Sequence, residues 1–138
     1  MAGKKLPGCL KKRDILNSDK ANKPELIRLG QSYLQEGFIS DCIDFLEKAE
    51  DFEGLFQLKG KCAAEGDYFL YHRLVRILQD SPSPEEWTEL GDKALGLGKL
   101  SFASLAYKRA DNHEKAVQVE KLLQLPRQER TSGGTILH

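Results

Sequence analysis

Leu26-x-x-Leu29-Gly30-x-x-Tyr33-x-x-x-Gly37-x-x-x-x-Cys42-x-x-x-Leu46-x-x-Ala49 and Trp87-x-x-Leu90-Gly91-x-x-Ala94-x-x-x-Gly98-x-x-x-x-Ala103-x-x-x-Tyr107-x-x-Ala110 are one pattern written twice. Large and small side chains recur at helical spacing, and a glycine in the middle interrupts them, so each copy reads as two helices joined by a short turn. A weaker copy lies between them at Leu55, Leu58, Cys62, Gly66, Tyr71, Val75 and Leu78. Self-similarity of this kind predicts stacked helical hairpins. Gly30 and Gly91 leave one helix of a pair without a Cβ, so the other approaches closely. Cys42, Ala103, Ala49 and Ala110 thin the facing surface, while Leu26, Trp87, Leu46 and Tyr107 fill the space between.

Outward from these copies, the spacing predicts seven helices. Pro24 opens the first, which runs to about residue 36 and ends at Gly37. The second covers about 39–49 and the third about 52–65, stopped by Gly66. Asp67 caps the fourth, to about 79. Ser83-Pro84-Glu85-Glu86 combines an N-cap serine, a first-turn proline and a glutamate three residues after the cap, and opens a helix to about 97. The sixth spans about 100–110. Asp111-x-x-Glu114 reads as a second capping box, opening a last helix that Pro126 closes. A short helical turn fits around residues 10–16. The domain organisation expected is a basic, flexible arm over 1–22, a helical repeat domain over 23–125 and a disordered tail over 126–138.

At these residues the chain resembles the tetratricopeptide repeat family, over 24–51 and 84–110 and more loosely 53–80. The repeats are short: Leu29 to Leu58 is 29 residues and Leu58 to Leu90 is 32, against 34 in that family. In this respect they are similar to the α-solenoids of vesicle-coat and intraflagellar-transport subunits. The resemblance implies an all-α, right-handed superhelix of three helical hairpins plus a C-terminal capping helix. It also implies a non-enzymatic scaffold that binds a peptide or helix of another protein in its concave groove. Carried over by register, the groove positions are Ile27, Gln31, Leu34, Gln35, Phe56, Thr88, Asp92 and Leu95. Chaperone-binding members clamp a terminal carboxylate with Lys, Asn and Arg at such positions. Apolar, neutral and acidic residues stand there in this chain, which suits an apolar or helical ligand instead.

Net charge is zero but unevenly spread. Residues 1–23 carry seven Lys and Arg against two Asp, and residues 24–125 carry 12 basic against 18 acidic side chains. Lys4, Lys5, Lys11, Lys12 and Arg13 therefore offer an alternative function, anion binding through the arm, to nucleic acid or an anionic surface. Without interleaved aromatics, and with Asp14 and Asp19 among them, nucleic acid is the lesser reading. An arm that folds back on the acidic body fits better, and a self-associating subunit is a further alternative. Asp41, Asp44, Glu47, Glu50, Asp51 and Glu53 fall mostly at surface offsets and read as a solvated acidic face.

No apolar run has the length of a membrane span. Leu6-Pro7-Gly8-Cys9 lacks the apolar stretch a lipoprotein signal needs before it. Cys9, Cys42 and Cys62 are odd in number and unpaired by motif, which points to a reducing, cytoplasmic setting. Cys42 and Cys62 hold core positions of the repeat, and His72, His113 and His138 belong to no ligand motif, so neither metal nor cofactor is expected. Gly91-x-x-x-x-Gly96-x-Gly98-Lys99 departs from the phosphate-loop pattern, and its glycines mark a helix end. No catalytic constellation is expected.

Overall fold

The computed structural model describes residues 6–18 and 22–130. These residues form eight named helices, α1 (Cys9–Asn17), α2 (Lys23–Gln35), α3 (Ile39–Lys48), α4 (Phe52–Ala64), α5 (Tyr68–Leu78), α6 (Pro84–Gly96), α7 (Leu100–Arg109) and α8 (His113–Leu123). A further helical turn covers 127–130, and no strand occurs among the described residues. The chain divides into two compact units within α4, after Gln57. The architecture is all-helical and compatible with a helical repeat.

In the first unit α2 and α3 form an antiparallel hairpin. Asn22 caps α2, its side chain accepting from the Glu25 amide at 2.8 Å, and Pro24 sits in the first turn. Gly37, at φ +86°, makes the turn that a side chain would strain. The core is Leu26, Tyr33, Cys42, Ile43, Phe45, Leu46 and Leu55, with the Tyr33 and Phe45 rings stacked at 5.2 Å. A Cβ on Gly30 would meet Leu46 and Phe45 at 3.3 Å, so the close approach of α3 is real but leaves slight slack.

The second unit repeats this geometry residue by residue. Lys23 corresponds to Pro84 and Gln35 to Gly96, and Ile39 to Leu100 and Lys48 to Arg109. Gly98, at φ +77°, stands where Gly37 does, and Asp111 where Glu50 does, both of the latter pair near φ +55°. Ser83 and Glu86 complete the expected capping box of α6. The expected second box does not form: Asp111 takes the left-handed position after α7, and Asn112 caps α8 by accepting from the Lys115 amide. Its counterpart is Asp51, which accepts from the Gly54 amide at the start of α4.

Ala94, Ala103, Tyr107, Ala116 and Val119 form the core of α6, α7 and α8, flanked by Leu95, Leu100, Phe102 and Leu123. Trp87 packs at the base of α6 against Tyr68 and Tyr71 of α5. The α4–α5 turn fits tightly against α6. Gly66, at φ +64°, would place a Cβ 2.6 Å from the Ala94 backbone, and Lys99 Nζ donates to the Glu65 carbonyl at 2.6 Å.

Candidate functional site

Helix α2 presents Ile27, Gln31, Leu34 and Gln35 one and two turns apart on one face. Ile27 and Leu34 are half-buried, Gln31 and Gln35 exposed. Phe56, on the first-unit half of α4, is 60% exposed. The α2 face alternates the apolar Ile27 and Leu34 with the neutral amides of Gln31 and Gln35.

The corresponding positions of α6 have a different fate. Asp92 accepts from the Tyr107 hydroxyl at 2.6 Å and from Lys115 Nζ of α8 at 2.9 Å. Leu95 packs on the α6–α8 core, beside a small pocket it shares with Asp92, Tyr107, Lys115, Gln118 and Val119. Helix α8 thus engages two of the three groove positions expected on α6. Burial, then the hydrogen bond to Asp92 and its charge, drives the Tyr107 phenol far above its ordinary pKa, so it stays a donor. The third position, Thr88, lines an open cleft of about 560 Å³ with Glu85, Glu89, Asp111, His113 and Glu114. No single stretch of sequence announces this acidic cleft, because the turn after α7 brings its halves together.

Of the basic arm, Lys4 and Lys5 lie outside the described residues, as do Lys20 and residues 131–138 of the expected tail. Lys11 and Arg13 are exposed on α1. Lys12 Nζ donates to Asp41, and to Asp44 at 2.8 Å. The Tyr33 hydroxyl donates to the Pro7 carbonyl at 3.0 Å. Two members of the expected solvated acidic face are therefore half-buried and engaged, and a third, Asp51, is spent on capping. Burial opposes the charge on Lys12, but hydrogen bonding and attraction from Asp41 and Asp44 outweigh it and raise its pKa above 10.5.

A ladder of rings, unmarked in the sequence because its members come from three helices, runs along the second unit. Phe102 meets the edge of Phe69 at 5.3 Å, and His72 stacks on Tyr68 at 5.7 Å. Arg109 lies 5.0 Å over the Trp87 ring. Burial, then Arg109 and Arg76, lowers the His72 pKa.

Cys42 and Cys62 are fully buried, and burial first, then nearby carboxylates, pushes their thiols to about 11 and about 12. Both stay protonated at neutral pH, which makes them packing groups. No group of three or more His, Cys, Asp or Glu is placed to hold a metal ion among the described residues. None of their helices is long and apolar enough to cross a membrane. No protein family model, curated protein or solved structure matches this chain.

Proposed function

We propose that this chain is a non-enzymatic protein-interaction module of the tetratricopeptide-like kind, a right-handed stack of three hairpins capped by α8. Its ligand is a peptide or helix of another protein, seated on the strip made by Ile27, Gln31, Leu34, Gln35 and Phe56. The observation that carries this reading is the residue-by-residue repetition of the α2–α3 hairpin in α6–α7. A repeated hairpin spends its sequence on its own stacking and presents helix faces as product. The polarity of the α2 strip suits a ligand that brings apolar side chains at helical spacing. The engagement of Asp92 and Leu95 by α8 supports a ligand on the first unit rather than on α6. Three thiols free of disulfides fit a reducing compartment such as the cytoplasm.

The test is affinity capture from the source lysate with the full chain and with Ile27→Glu/Leu34→Glu/Phe56→Glu, after circular dichroism has shown equal helicity. The reading expects a protein retained by the full chain and lost from the triple variant. Equal retention by both removes the strip as the site.

A further inference from the structure

The surface of α3 that carries Asp41 and Asp44 already has an occupant, and the way it is held indicates what else fits. Helix α1 lies against α3 with none of its own side chains buried, and Leu10 near its start is 69% exposed. Polar contacts tie it down, Lys12 on Asp41 and Asp44 and the Tyr33 hydroxyl on the Pro7 carbonyl, while its apolar Ile15 and Leu16 are only half-buried. In the second unit α5 lies against α7 in the corresponding place, but it buries Tyr68, Tyr71, Leu74 and Val75. Phe69 of α5 meets Phe102, and Phe102 stands on α7 where Asp41 stands on α3. One position of the fold is thus closed by an apolar contact in one unit and by an ion pair in the other.

We propose that Asp41 and Asp44 form a docking site for a lysine-bearing amphipathic helix of a partner protein, and that α1 is its internal, displaceable occupant. The two carboxylates are one helical turn apart and receive one ammonium between them, which defines the charge of the ligand. Phe38, the N-cap residue of α3 and three residues before Asp41, remains 52% exposed with α1 in place. An incoming helix with an apolar side chain one turn from its lysine gains that ring, and with it an anchor of the kind that holds α5. Partly exposed ion pairs hold a helix weakly, so a ligand that adds apolar burial displaces α1. This site stands on α3 and is independent of the strip on α2, so the proposal holds or falls separately from the one above.

Cys9 makes the exchange measurable. It is the exposed thiol on α1, whereas Cys42 and Cys62 are buried and protonated at neutral pH, so a maleimide fluorophore attaches to Cys9. The probe is a synthetic peptide of residues 6–18 carrying Cys9→Ser, added to the labelled full chain. Displacement of α1 frees the label, so anisotropy falls and saturates. The same peptide with Lys12→Glu is expected to need at least about ten-fold more for the same change. In the Asp41→Asn/Asp44→Asn chain the label is already mobile and the peptide has no effect. Should that variant lose its helicity, Lys12→Gln replaces it, with a mobile label and tighter peptide binding expected. Equal potency of the two peptides, or no response to either, overturns the proposal. Anisotropy that rises with chain concentration in the absence of peptide overturns it too, by making a second copy the occupant.

Discussion

The α2–α3 and α6–α7 hairpins share their frame and differ in what fills it. Both consist of 13 and 10 residues, both turn on a left-handed glycine, and both have a glycine where the helices touch. Inside, the bulk has moved. The first hairpin stacks Tyr33 on Phe45 and keeps Leu26 and Leu46 modest. The second places Ala94 and Ala106 at the ring positions and enlarges the other two to Trp87 and Tyr107. The frame depends on caps, turns and one close approach, while the interior requires its volume to be filled and tolerates redistribution. The redistribution has a cost, because Tyr107 now lies on Gly91. A Cβ there would come within 2.5 Å of the ring, and the ring is pinned through its hydroxyl to Asp92.

Deleting the enlarged residue should show the largest difference. We expect Tyr107→Ala to cost about 4 kcal/mol and Leu46→Ala about 3 kcal/mol in urea unfolding, because the first also strips a partner from Asp92. Equal losses would mean that the Asp92 contact contributes nothing.

Adding a methyl group asks the same question in reverse. Gly91→Ala should cost about 1–3 kcal/mol and Gly30→Ala less than about 1 kcal/mol, since Leu46 is able to yield by a few tenths of an ångström. The opposite order would show that the two crossings are not equivalent.

The smallest effect separates the clasps. Lys12→Ala should change global stability by less than about 1 kcal/mol, yet speed amide exchange across α1. Raising salt from about 0.1 to about 1 M should do likewise for α1 and leave α5 unmoved, because screening acts on charges and not on the Phe69–Phe102 contact. The sign with pH is fixed by the raised pKa of Lys12. Its contribution is complete below 10.5 and disappears as pH climbs through the higher folded value. Cys9-label anisotropy should accordingly hold up to pH 10.5 and drop above it.

Much of this fold is legible in the sequence, since its signals are local. Ser83 with Glu86, the three turn glycines and the helical spacing of Leu26, Leu29 and Tyr33 each act within a few residues. Asn112 shows how near a local reading stops short: Asp111 offers the same chemistry one residue earlier, and only the left-handed backbone at Asp111 decides between them. The docking of α1 was not legible in detail, because Lys12 and Asp41 are 29 residues apart and no period links them. Of the candidate site, the helix faces are legible. Spacing assigns Ile27, Leu34, Asp92 and Leu95 to helix faces, but it says nothing of which element covers a face, and α8 engages that of α6.

The most direct test is hydrogen–deuterium exchange on the full chain with and without the protein it retains. Exchange should slow in α2 from Ile27 to Gln35 and in α4 around Phe56, with α7 and α8 unchanged. Protection confined to α7 and α8, with α2 exchanging as before, would contradict it.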